Sequence, residues 1–142
     1  MNIKDAFNSV RFFCIEEQKT MELTINNKVY EFKFNMKFMR EVNKRYAKEI
    51  DKGVKKNIGL NYIVAGILDR DIETLVDVLY TSCVTDPRIT KPEIDAFIDD
   101  ECEDIDALFE EVKDFLGKAN ATKKAVKNLQ EMIENEKKKA QN

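Results

Sequence analysis

The stretch Met21–Lys44, "MELTINNKVYEFKFNMKFMREVNK", decides the fold. Leu23 and Ile25 alternate with Glu22, Thr24 and Asn26. Beyond Asn26-Asn27, Tyr30, Phe32 and Phe34 alternate with Val29, Glu31 and Lys33. Period two on both sides of an Asn pair predicts a β-hairpin, because Asn tolerates the positive φ that a tight turn demands. A lone hairpin is marginal in water. Its aromatic face therefore needs cover, most simply the helix that follows. That helix is predicted to start after Asn35, a good N-cap, and to run to about Lys52 before Gly53. Phe38, Met39, Val42, Tyr46 and Ile50 form its apolar stripe.

Downstream the pattern is helical. "GVKKNIG" (53–59) reads as a loop. "LNYIVAGIL" (60–68) is short and apolar, a buried helix by preference, although periodicity alone also allows a strand. Asp71 can cap a helix carrying Ile72, Leu75, Val76 and Leu79, which "TDPR" ends. Thr90 and Glu93 fit a capping box, and Ile89 and Ile94 stand where a hydrophobic staple would place them. Phe97 and Ile98 continue that short helix. Ile105, Leu108, Phe109, Val112, Phe115 and Leu116 then form a strong amphipathic stripe ending near Gly117. A last helix from about Thr122 carries Val126, Leu129, Met132 and Ile133 before dissolving into "ENEKKKAQN". The expected fold class is mainly α, a compact helical domain with a short N-terminal β-hairpin (α+β in the strict sense). It spans 21–134 as one domain, with 135–142 a charged tail.

Residues 1–20 carry a loose stripe of Phe7, Val10, Phe13 and Cys14. They read either as an extra amphipathic helix or as a non-native leader. Glu16-Glu17 can be encoded by a purine tract of ribosome-binding character just ahead of Met21, which favours a start there. Finding Met1 at the N-terminus of native protein would remove the leader reading.

Composition excludes more than it assigns. Charged residues are 36% of the 142 and hydrophobics 43%, with four Gly and two Pro. That balance suits one helix-rich domain with a modest core. No apolar run reaches the roughly 20 residues of a membrane span, and "AFNSVRFFCI" is too interrupted for a signal-peptide core. The expected location is cytoplasmic. Cys14, Cys83 and Cys102 are scattered, so neither a disulfide framework nor a zinc site is expected. The chain has no histidine, which removes Ser/His/Asp and Cys/His catalysis and most transition-metal sites. The expectation is a protein that is not an enzyme and needs no cofactor or metal.

Two charge patches stand out. Residues 95–114 hold ten Asp/Glu and one Lys, but "DDECED" lacks EF-hand spacing and reads as a solvated face or interaction patch. Residues 28–56 hold ten Lys/Arg against four acids, interleaved with Tyr30, Phe32 and Tyr46. This basic band supports an alternative reading, a small helical nucleic-acid-binding or regulatory protein. A net charge of −3 and aromatics better used as core make nucleic acid the lesser reading. Opposed patches can also pair between subunits, so self-association is expected. Val126, Leu129, Met132 and Ile133 form the candidate partner-binding face, a stripe that could meet a partner helix.

The order of parts resembles the tail assembly chaperones of long-tailed phages and prophages of Gram-positive bacteria. The segments "MELTINNKVYEFKFNMKFMREVNK", "GLNYIVAGILDRDIETLVDVLYTS", "KPEIDAFIDD" and "LFEEVKDFLGKANATKKAVKNLQEMIE" carry the likeness, over Met21 to about Glu134. The resemblance implies a non-enzymatic protein of the host bacterial cytoplasm that coats the tape measure protein before the tail tube polymerises. It implies absence from the finished virion. It also implies two forms, the longer made by ribosomal frameshifting and contacting the tail tube protein. Glu136-Lys137-Lys138-Lys139 can be encoded as a slippery adenine run, so this chain reads as the short form. Lys codons broken by G there, with no overlapping frame, would argue against it.

Overall fold

The computed structural model describes residues 20–47 and 58–141. Ile50 and the expected end of the first helix near Lys52 lie outside them, as do residues 1–19. The described chain runs β1 (Thr20–Ile25), β2 (Lys28–Lys33), α1 (Met36–Ala47), α2 (Ile58–Leu68), α3 (Ile72–Ser82) and α4 (Lys91–Ala96). A π-helical turn (Phe97–Glu101), α5 (Ile105–Lys118) and α6 (Lys123–Gln141) complete it. The fold is mainly α with an N-terminal antiparallel hairpin.

The hairpin forms as the alternation requires. Asn26 and Asn27 take φ of 53° and 65°, the paired left-handed residues of a type I′ turn. The register sets Met21 against Phe32 and Leu23 against Tyr30. Met21, Ile25, Tyr30, Phe32 and Phe34 face the core, while Val29 is exposed. The outer edge of β2 is covered by the chain leaving α3. Val84 N–H donates to the Glu31 carbonyl at 2.8 Å, and Glu31 N–H donates to Thr85 Oγ1 at 2.8 Å. The outer edge of β2 is thereby shielded from strand addition.

Helix starts follow local chemistry. Asn35 Oδ1 accepts from Phe38 N–H (2.9 Å), and Phe34 meets Phe38 edge to face at 5.1 Å. Asp71 caps α3, and Thr90 with Glu93 closes the capping box on α4 over a fully buried Ile89–Ile94 pair. A cap of this kind contributes about 1 kcal/mol.

α2 is the hub. Apolar on most of its circumference, it packs on α1, α3, α5 and α6. It also begins earlier than expected, because Ile58 and Gly59 are its first turn rather than the end of a loop. The reason is tertiary. Leu60 N–H at that end is capped by Asn43 Oδ1 of α1 at 2.8 Å. A β-carbon on Gly59 would lie 2.5 Å from the Val42 carbonyl oxygen and 2.8 Å from Asn43 Cα. The helices touch backbone to backbone, and only glycine fits.

α2 ends in a Schellman-type turn. Arg70 N–H bonds the Ile67 carbonyl (3.1 Å) and Asp71 N–H the Gly66 carbonyl (2.9 Å). Arg70 holds φ 58° where glycine is usual. Its guanidinium is tied to α5 through the Asp106 carbonyl (3.0 Å), Asp106 Oδ1 (3.3 Å) and Glu110 Oε2 (2.5 Å).

Three further details differ from the sequence reading. Ile72 is exposed, and Val78, not assigned to the stripe, is buried. Residues 97–101 wind as a π-turn, closed by Cys102 N–H on the Phe97 carbonyl (2.8 Å), which leaves Glu101 Oε1 to accept Asn26 N–H of the hairpin turn (3.1 Å). α6 does not dissolve at Glu134 but stays helical through Gln141.

Gly59→Ala should lower unfolding free energy by about 1–3 kcal/mol, the cost of overpacking a tight contact, read from the urea midpoint. An unchanged midpoint would show that α1 and α2 can separate freely.

Candidate functional site

The last helix joins the body only by its first two turns. Thr122, fully buried, donates its hydroxyl to the Leu116 carbonyl at 2.5 Å, turning the chain tightly out of α5. Val126 follows one turn later, 5% exposed and in contact range of Gly117. Of the four candidate residues, Val126 therefore belongs to the protein's own core. Leu129 is half-buried at the margin. Met132 is 61% and Ile133 39% exposed, and every residue from Gln130 to Gln141 faces solvent. The structure divides the stripe into residues packed on the body (Val126 and, at its margin, Leu129) and an exposed arm (Met132, Ile133). Glu131, Glu134 and Glu136 accompany the arm's apolar residues.

A groove opens where the hairpin, α1 and the α5–α6 turn converge. It encloses about 510 Å³, within the range of pockets that seat ligands. Phe34, Met36, Phe115 and Ala119 supply apolar lining, and Lys33 and Lys118 stand among them. Met36 is 45% exposed, and Lys118 Nζ lies 5.7 Å from the centre of the Phe115 ring. Sequence reasoning missed this groove. Its residues come from 20, 33–36 and 115–121, and no local pattern joins them.

Among the described residues of the basic band, Lys28 lies over the Tyr30 ring and Arg45 bonds Thr81 Oγ1 at 3.2 Å. Tyr30 and Phe32 are buried. Tyr46 Oη donates to Asp77 Oδ2 at 3.1 Å, and Lys91 Nζ meets Asp77 Oδ1 at 3.0 Å. Arg88, Lys91 and Arg45 surround the Tyr80 ring at 5.0, 5.4 and 5.6 Å. Arg88 also pairs with Glu41 at 3.1 Å. Burial, then the Asp77 charge, push the Tyr46 hydroxyl up to about 12. These aromatics hold α1 to α3 and are not presented as a platform for bases.

The acidic run is likewise distributed. Asp104 caps α5, Glu101 holds the hairpin turn, and Asp106 and Glu110 hold Arg70. Lys113, then Arg70, keep the Glu110 carboxyl below its ordinary range, while burial and Asp114 push Glu111 up. Among the described residues no three His, Cys, Asp or Glu side chains lie close enough to hold a metal ion.

Outside the core the described residues leave an apolar groove and a helix whose outer turns are exposed. The family model described as "Phage tail assembly chaperone protein, TAC" matches residues 22–131. The chain belongs to that family, and its role is in phage tail assembly. No curated protein and no solved structure matches it. No described helix is long and apolar enough to cross a membrane.

Two outcomes test this anatomy. Val126→Asp should unfold the domain by burying an unpaired charge, whereas Met132→Asp should leave the melting temperature within about 2 °C. Equal effects would mean that the arm packs like the anchor. The second concerns pH. A folded tyrosine titrating near 12 against 10.0 for the free side chain holds its proton longer than the unfolded one. That contribution is complete below pH 10 and is lost as pH rises toward 12. Tyr46→Phe should therefore show a shallower loss of stability than wild type over that window, in parallel urea titrations. Parallel curves would remove the assignment.

Proposed function

We propose that this protein binds the tape measure protein in the host bacterial cytoplasm, keeps it soluble while the tail tube assembles, and is left out of the mature virion. The observation that carries the reading is family membership across residues 22–131, which spans the hairpin, the helical body and the root of α6. The anatomy supports it. A tape measure client is long and helical, and helical clients are held by apolar faces flanked by charge rather than by catalytic groups. The α6 face, Leu129, Met132 and Ile133 beyond the Val126 anchor, is where the chain meets partners. A frameshift-extended form, made at the Glu136–Lys139 run, would add contacts to the tail tube protein, and copies of the chain associate with each other.

Co-expression with a long coiled-coil tape measure protein tests the client reading. The client's soluble fraction should rise several-fold with this chain present, and the two should co-purify. A client equally insoluble with and without it would end the reading.

A further inference from the structure

A second, more polar recess shares Lys33 and Asn35 with the groove. It encloses about 240 Å³ between the first turn of α1, the end of α3 and the chain that follows α3. Its wall carries three separate sets of hydrogen-bond donors.

The start of α1 supplies the first. Asn35 caps Phe38 N–H, whereas the N–H groups of Met36 and Lys37 find no partner among the described residues. A helix N-terminus carries roughly half a positive charge, which an acidic residue in the first turn usually offsets. α1 has no acid there, and Lys37 stands in its place.

Free charge supplies the second. Lys33 and Lys37 take part in none of the ion pairs among the described residues. Two carboxylates, Glu41 and Asp86, also line the recess. Glu41 is already held by Arg88 at 3.1 Å and by Arg45 at 3.8 Å. That leaves Asp86 alone against two free ammonium groups.

Ser82 supplies the third. It lines the recess at 1% exposure, and its hydroxyl has no hydrogen-bond partner among the described residues. A buried hydroxyl without a partner is costly, and an acceptor seated in the recess would relieve that cost.

We propose that this recess binds a phosphate group, free or as a phosphomonoester, whose oxygens accept from the Ser82 hydroxyl, the first-turn N–H groups of α1 and the ammonium groups of Lys33 and Lys37. Four oxygens at tetrahedral corners can serve all three sets at once. The two coplanar oxygens of a carboxylate cannot. The volume is below that of pockets enclosing drug-sized ligands, so the recess takes the phosphate and leaves any attached group outside. Bound there, phosphate bridges the end of the hairpin, the first turn of α1 and the last residue of α3. The site is independent of the α6 face and of the chaperone reading.

The test is an amide NMR titration of the full chain with sodium phosphate, at fixed pH and with chloride holding ionic strength constant. Melting temperature alone would not serve, because phosphate stabilises folded proteins generally by exclusion from their surfaces. The amides of Met36, Lys37 and Ser82 should shift saturably, with a Kd on the order of 1 mM. K33A/K37A should weaken binding about tenfold or more with the fold retained, since both side chains are exposed. Ser82→Ala should weaken it about threefold without lowering the melting temperature, because it removes an unpaired hydroxyl. Asp86→Asn should tighten it.

Parallel arms use glycerol 3-phosphate and acetate. Saturation by both phosphate and glycerol 3-phosphate upholds a site for a phosphate group on a larger molecule, and saturation by phosphate alone upholds a site for the free ion. Acetate binding as tightly as phosphate overturns the proposal. So do shifts that never saturate, or a Ser82→Ala variant that melts earlier yet binds as wild type does, which would give the hydroxyl a purely structural role.

Discussion

The close contact between α1 and α2 governs the rest of the structure. A helix as apolar as "IGLNYIVAGIL" is stable only if covered on nearly all sides. Four helices cover it, and α1 meets it backbone to backbone, where Gly59 lies against Val42 and Asn43. The contact also supplies a cap, since Asn43 satisfies a first-turn N–H that α2 cannot satisfy itself. α1 in turn is fixed to the hairpin by Phe34 on Phe38. Displacing α2 would uncover Leu60, Ile63, Val64 and Ile67 together. At about 25 cal/mol per Å² of apolar area, that loss would exceed what surface ion pairs such as Arg88–Glu41 could offset.

The hairpin depends on the same core from the other side. Phe32 and Met21 are fully buried, so the strand pair is held by its face more than by its own ladder. The Glu31–Val84 and Glu31–Thr85 bonds then occupy the edge. Arg70 shows how far packing can override backbone preference. A left-handed arginine is unfavourable in isolation, yet it turns the chain after α2 so that Asp71, the next residue, can cap α3. Its three bonds to α5 make that conformation part of the packing.

What was legible in the sequence was local. Asn26-Asn27, Asn35, Asp71 and the Thr90/Glu93 box act within four residues, so their chemistry is complete in the sequence and each sits where the pattern placed it. Gly59 was not legible as helix, because the reason it is glycine stands on another helix. The π-turn was hidden too, since Phe97 and Ile98 fit an α-helix equally well. In the candidate site the stripe was readable, but periodicity assigns Val126 and Met132 to one face without saying how far the supporting helices reach. Support for α6 gives out near Leu129, and only the packed structure shows it. The groove, assembled from three distant segments, left no periodic trace.

The charge pattern yields the last distinction. Read along the chain, a basic half and an acidic middle look like two complementary patches. In the fold part of the acidic run is used internally, since Arg70 pairs with Asp106 and Glu110, while Arg88 and Lys91, which lie outside the basic band, pair with Glu41 and Asp77. Such pairs contribute little stability each, but they spend the charge, and a spent charge neither steers a partner nor attracts a polyanion over a distance.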